Sequence, residues 1–479
     1  MSARESENGN RESVDAQDSS LRAQDVPRPS DSRFPIPVSP MLFVNAAQVV
    51  TCQGPSRARR GREMNDAGVV TGVAVAVDGE RIVEVGPQAD LEHRYRDAAR
   101  VDCTSRVLTP GLVDSHTHAI FGKPRFEEQE LRASGLDYME IARRGGGIHS
   151  SVRDLRARSE GELIALAIPR LRRLGAHGVT TVEVKSGYGL TLDDELKSLR
   201  VIRKLGEILP MRLVPTWLGA HEIPLEFREM HDGRSEYVRL LVSTMLPAVS
   251  SGRLARFADV FCEPGVFTID ESRTILTAAR SAGLGLKLHA DELRASGGAE
   301  LAAEIGATSA DHLAAISETG IRVLAASTTV ATLLPGTMLF LGKEKQAPAR
   351  ALVDAGAAVA LATDFNPGTS PTTNFPLVMT LGVSQLRLSV AESVVASTVN
   401  GAAALSLANE VGQIAPGFSA DLALFAADDV RELPYWYGDN RCVGTWVRGR
   451  PCHPSSSDTL PDHQSRALVQ GVDRTTSTR

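Results

Sequence analysis

Apolar positions along this chain follow three successive rhythms. Between residues 41 and 109 they form short alternating or β-branched runs, at 41–51, 72–77, 81–85 and 106–109. Turn-forming pairs such as Asp78-Gly79 separate them, which is a hairpin pattern. From 110 to 403, short apolar runs alternate with longer stretches of helical period. The short runs predict strands over 112–115, 179–185, 212–216, 257–263, 285–289, 308–311, 329–334 and 358–363. The longer stretches predict helices over 160–174, 193–209, 269–282, 298–304 and 347–355, among others. Eight strands alternating with helices over roughly 290 residues is the size and rhythm of a (β/α)8 barrel. Past residue 404, β character returns at 422–425 and 442–447. The expected architecture is therefore α/β: a TIM-like barrel over 110–403. A small composite β-sandwich domain would be assembled from 41–109 and 404–452. Residues 1–40 and 453–479 carry too few apolar side chains to offset the entropy of ordering, and read as a disordered extension and a disordered tail. The basic run Arg57-Ala-Arg-Arg-Gly-Arg62 reads as a solvated hairpin loop.

Composition narrows the functional classes. The 479 residues allow two to four domains, or one large barrel with an appendage. With 58 acidic and 52 basic residues, the net charge is −6. There is no basic footprint for nucleic acid and no polybasic membrane patch. No apolar run approaches a membrane span, and the polar N-terminus has no apolar stretch of a secretory signal. Five scattered cysteines without a CxxC pair make neither a disulfide framework nor a cysteine zinc site. The expected setting is cytoplasmic. No phosphate-cradling GxxxxGK[ST] or strand–GxGxxG–helix motif is present.

A barrel of this kind carries its chemistry at the C-terminal ends of its strands. Titratable groups follow nearly every predicted strand here. His116 and His118 sit two residues apart after the first, so on an extended chain both imidazoles reach one ion. His289 ends the fifth strand and Asp364 ends the eighth. Three histidines and a carboxylate form an N3O set that suits zinc or iron and leaves a position for water. Glu292, three residues past His289, either stands beside that water as a proton shuttle or is a helix N-terminal carboxylate. His312, after the sixth strand, either meets the water or a developing oxyanion, or is structural. Arg125, on the first loop, either clamps a substrate carboxylate or is an ordinary surface arginine. Tyr138, Tyr188 and His221 complete the candidates.

These residues sit in segments that resemble a known superfamily. PGLVDSHTH (110–118), the histidines ending strand five and following strand six, and Thr-Asp ending strand eight are similar to the amidohydrolases, as is VGQIAPGFSADLALF (411–425). The fourth strand, DVFCEPG (259–265), lacks the lysine that binuclear members carbamylate there, which implies a single metal ion, zinc or iron, per subunit. A narrower resemblance, to the imidazolonepropionase family, rests on several further segments. These are YMEIARRGGGI (138–148), TTVEVKSGYGL (180–190), PTWLGAHEIP (215–224), FADVFCEPGVF (257–267), LKLHADEL (286–293), SADHL (309–313) and ATDFNPGTSPTTNFP (362–376). It covers about 41–450.

That resemblance implies hydrolysis of 4-imidazolone-5-propanoate to N-formimidoyl-L-glutamate in histidine degradation, by a homodimer acting on a small molecule. It implies His116, His118, His289 and Asp364 as metal ligands. Arg125, Tyr188, His221, Glu292 and Thr369 would contact substrate, Asn366 and Gly368 product, and Tyr138 is a further addition. Glu292, His312 and Asp364 would carry the proton transfers and oxyanion stabilisation. The loop after the ligand pair reads FGKPR, where the family has a GGSR-like sequence, and Arg125 keeps the spacing. Two other readings use the same residues: a single-metal aminohydrolase of a nucleobase-like or triazine ring, and an inactive barrel scaffold.

Overall fold

A computed structural model describes residues 40–136, 140–141 and 144–453. Tyr138 and the two polar ends (1–39 and 454–479) lie outside the described residues. Strands β1 (Met41–Val44), β2 (Gln48–Val50), β3 (Val69–Val70), β4 (Val73–Asp78), β5 (Arg81–Pro87), β6 (Ala99–Asp102) and β7 (Val107–Pro110) come first. They are followed by β8 (Leu112–Asp114), β9 (Val179–Lys185), β10 (Arg212–Ala220), β11 (Phe257–Cys262), β12 (Gly285–Ala290), β13 (Ser309–His312), β14 (Val330–Leu333) and β15 (Ala358–Leu361). The chain then closes with β16 (Leu422–Phe425), β17 (Cys442–Val447) and β18 (Arg450–His453).

Alternation along β1 explains the smaller unit. Met41 and Phe43 face a core with Val75, Val77, Leu108, Leu422, Leu424 and Trp446, where Phe43 meets Trp446 edge-on at 5.0 Å. Leu42 and Val44 face the opposite way, with Leu91 of the helix Gln88–Arg94. One sheet has the order β5-β4-β1-β6 and the other β18-β17-β16-β7-β2-β3. Strands from both ends of the chain thus share the second sheet. The registers Leu422↔Pro110 and Ala423↔Thr109 join them antiparallel. His453, assigned to the tail from the sequence, instead ends β18 and pairs with Thr445.

Strands β8 to β15 form one sheet in sequence order, every neighbouring pair parallel. Both faces are buried, which is why these strands read as continuous apolar runs. Helices between them start at capped positions, as where Ser159 and Thr268 each accept from the amide three residues on. The circle closes just beyond the ends of β8 and β15. His118 N donates to Phe365 O at 2.9 Å, and Asp364 N to His116 O at 3.1 Å. The buried Asp114 carboxylate ties the same seam, accepting from Thr363 N (3.0 Å) and Oγ1 (2.6 Å). The architecture is a (β/α)8 barrel with an added β-sandwich.

The segment 57–62 is not a solvated loop. Arg59 is buried, and its backbone exchanges two hydrogen bonds with the Asn400 amide, at 2.7 and 3.0 Å. Arg60 donates to the carbonyls of Gly356 (3.2 Å) and Ala325, and Gly61 N to Ala357 O (3.0 Å). Carbonyls just past or at the ends of the helices Ala349–Asp354 and Glu318–Ala326 need donors, and a guanidinium supplies several at once. The run is a clasp fastened to the barrel. No helix among the described residues is long and apolar enough to cross a membrane.

Candidate active site

The backbone that closes the barrel also brings the predicted ligands together. His116 and His118 follow β8, and Thr117 bridges Phe365 in parallel, so both imidazoles turn inward beside Asp364. Each Nε2 lies 3.6 Å from Asp364 Oδ1. Across the mouth, His289 Nε2 from β12 lies 3.4 Å from His118 Nε2. All four residues are buried. Asp364 holds its place with φ of 52°, an unusual conformation for a non-glycine residue, while Thr337 Oγ1 donates to its Oδ2 at 2.6 Å.

Carboxylates behind the rings fix their orientation. Nδ1 of His116 donates to Asp311 Oδ2 at 2.7 Å, and Nδ1 of His289 to Asp259 at 3.0–3.1 Å. With the Nδ1 protons committed there, both Nε2 lone pairs face the centre. Burial first, and then the charge of Lys185, holds His116 well below the usual histidine value. Burial and His221 do the same for His118. Neutral rings are what a metal needs. Nε2 of His116 has no hydrogen-bond partner among the described residues. A tetrahedral ion with bonds of ~2.0–2.1 Å spaces its ligands ~3.3–3.4 Å apart. The three separations given above, 3.4–3.6 Å, are close to that spacing, and the donor atoms of His116, His118 and His289, and those of His116, His312 and Asp364, lie within 4.8 Å of one another.

Sequence reasoning missed this supporting layer. Lys185 Nζ lies 2.6 Å from Glu183, 2.7 Å from Asp259 and 3.9 Å from Asp311. Lys287 Nζ lies 3.4 Å from Asp311 and 2.6 Å from Ser309 Oγ. All are buried. A lone charge inside an apolar strand, as in FADVFC or LKLHA, was the available signal, since such groups survive burial only when paired.

The remaining candidates line the mouth. His312, with φ of 79°, is 5.1 Å from His289 ring to ring, and its Nδ1 is 3.7 Å from Glu292. Glu292 is not at a helix start, since the next helix begins at Gly298. Burial, reinforced by the Asp364 and Glu263 charges, pushes the Glu292 carboxyl well above its usual range, and burial raises Asp364 to about 6. His221 stacks on His118 at 5.1 Å and gives its Nδ1 proton to Gly187 O at 2.8 Å. Burial, then His289, lowers it to about 3. Tyr188 is buried 5.3 Å from His221.

Arg125 is buried rather than on the surface, with Ser151 Oγ and Glu128 Oε1 each 3.4 Å away. Its guanidinium lies on Gly368, where a Cβ would fall 1.6 Å from Nη2. Asn366 spends its side chain inside its own turn: Oδ1 accepts from Gly368 N and Thr369 N, and Nδ2 donates to Asp364 O and Thr369 Oγ1. It shapes the loop that carries Asp364 and Gly368, and its side chain has no spare donor for a ligand.

Comparison with known proteins agrees with this geometry. Residues 152–453 match the profile of the Amidohydrolase family, and 74–98 that of the bacterial imidazolonepropionase-like composite domain. Imidazolonepropionase of Bacillus velezensis is 46% identical over 401 residues, covering 83% of this chain and 93% of the relative. That of Chloroflexus aggregans is 46% identical over 419 residues, covering 86% and 97%. Among solved structures, a zinc-bound adenosine deaminase from Xanthomonas campestris superposes with a TM-score of 0.63 at 18% identity, covering 90% of this chain and 96% of that one. At that identity the likeness is one of fold. A barrel whose mouth gathers three histidines and an aspartate, and relatives nearly half identical along nearly their whole length, lead to one assignment: the chain belongs to the imidazolonepropionase family of amidohydrolases.

Proposed function

We propose that this chain hydrolyses 4-imidazolone-5-propanoate to N-formimidoyl-L-glutamate, a step in histidine degradation, as a cytoplasmic homodimer using one zinc or iron ion. The observation that carries the reading is the inward convergence of His116, His118, His289 and Asp364 in a chain of this family. These four residues would hold the ion, which supplies a Lewis acid and lowers the pKa of water toward about 7.

Water adds across one ring C–N bond: a C–O bond forms at the ring carbonyl carbon, and the C–N bond breaks. Asp364 or Glu292 accepts the proton of the attacking water. Glu292, 3.7 Å from His312, delivers a proton to the departing ring nitrogen. His312 and His221 face the oxygen on which negative charge develops. Arg125 and Tyr188 hold the propanoate carboxylate and fix the ring over the ligand cluster, with Thr369 beside them and Tyr138 as a further contact. Gly368 gives the Arg125 guanidinium its seat.

Gly368→Ala tests the role of Arg125. The added methyl displaces the guanidinium, and KM rises about tenfold or more while kcat changes less, as for a lost contact to a charged group. Steady-state kinetics check this, and an unchanged KM separates Arg125 from the substrate. The reaction itself is tested by product mass: the substrate gains one water and no ammonia appears. Ammonia released from a nucleobase or triazine ring, with no reaction on the imidazolone, would assign an aminohydrolase instead.

A further inference from the structure

The loop Ser186-Gly-Tyr-Gly-Leu190 carries Tyr188, and its Gly187 carbonyl holds His221, yet it has no regular structure of its own. Its backbone is contorted: Gly187 has φ of 97° and Leu190 of 57°. Gly189 sits so close to the following helix (Leu192–Ile208) that a Cβ would lie 2.5 Å from Glu195 N. Such a path leaves amides without ladder partners.

One side chain collects them. Glu195 is fully buried, and its Oε1 accepts from Gly187 N (3.1 Å), Gly189 N (2.9 Å) and Leu190 N (3.0 Å). Its Oε2 shares the Gly187 amide at 3.2 Å. The Gly189 carbonyl is pinned from the other side by Arg156 Nε (2.8 Å), and the Tyr237 hydroxyl, which bonds Gly219 O at 2.7 Å, lies 3.3 Å from Leu190 O. Among the described residues Glu195 is in no ion pair, and its other hydrogen-bond partner is the Ser186 side chain, so its contacts are to the loop itself.

We propose that Glu195 is a positioning residue for substrate binding: its carboxylate folds the 186–190 loop into the one shape that presents Tyr188 and seats His221. The inference rests on the assignment of Tyr188 and His221 to the substrate. Three isolated amides converging on one oxygen need an acceptor at that point, and a side chain one methylene shorter does not reach it.

Glu195→Asp, Glu195→Gln and Tyr188→Phe, compared for KM, kcat and bound metal in the full chain, test it. Glu195→Asp raises KM about tenfold, with kcat within about threefold and metal content unchanged. Glu195→Gln keeps an oxygen in place and restores KM to within about threefold of the parent. A purely structural role would lower the melting temperature in both variants and leave KM alone. A parental KM in Glu195→Asp, with Tyr188→Phe raised, overturns the role of Glu195. A parental KM in Tyr188→Phe overturns instead the assignment of Tyr188 to the substrate. If Glu195→Asp does not fold while Glu195→Gln shows parental KM and melting temperature, the oxygen acceptor is sufficient and the proposal stands. If both fail to fold, the residue is structural and the proposal falls.

Discussion

His289→Ala is expected to lose both bound metal and turnover. The substitution removes one of the four inward donors, and with it the ring that Asp259 orients. The remaining His116, His118 and Asp364 leave one side of the cluster open. Losing both an ion and the water it acidifies costs at least ~10³-fold in kcat/KM, or about 4 kcal/mol of transition-state stabilisation. Metal analysis and kinetics on the same sample check the outcome. His231→Ala is the control, since that side chain is 96% exposed whereas the cluster is buried, and it should change neither quantity. A metal-free His289→Ala protein with full turnover would refute the scheme.

Lys185→Met should have the second largest effect, although Lys185 touches no proposed ligand. Its ammonium is held by Glu183, Asp259 and Asp311, and the last two orient His289 and His116. Removing it leaves three buried carboxylates, with only Lys287 beside Asp311. Breaking a buried ion pair from one side costs about 3–5 kcal/mol. Disturbing the groups that orient metal ligands costs about 10–100-fold in metal affinity. Thermal unfolding and metal titration should both register the change. Adding Glu183→Gln removes a carboxylate that contacts neither histidine, so it should recover stability while metal affinity stays low. Parental metal affinity in Lys185→Met would show that the carboxylates orient the rings unaided.

Much of the barrel was legible because parallel strands buried on both faces must read as apolar runs. The predicted 179–185 is β9, and 298–304 is the helix Gly298–Glu304. Helices such as Phe375–Ser384 and Val390–Ser397 were not legible as separate elements. They are apolar on most sides, so no polar stripe marks their period. Runs such as 329–334 and 358–363 overshoot β14 and β15, because the chain stays buried after the ladder ends. The candidate ligands were legible because they follow strands, where a barrel puts its chemistry.

What escaped the sequence depends on pairing across the barrel. Asp259, Asp311 and Lys185 lie on three different strands, and the register of neighbouring strands together with closure of the barrel brings them behind the histidines. Asn366, for which the resemblance implies a product contact, uses its side chain to form the turn beside Asp364. Arg60 follows the same logic as the lysine layer, because its partners are carbonyls some 265 and 296 residues away along the chain.

We propose that His116, His118, His289 and Asp364, holding one ion, make this barrel a ring-opening hydrolase. The most direct measurement follows the absorbance of 4-imidazolone-5-propanoate on addition of purified protein whose metal content has been determined. The absorbance should disappear at a rate proportional to bound metal, saturating near one ion per chain. Persistence of the absorbance with fully loaded protein, or equal loss with metal-free protein, would contradict it.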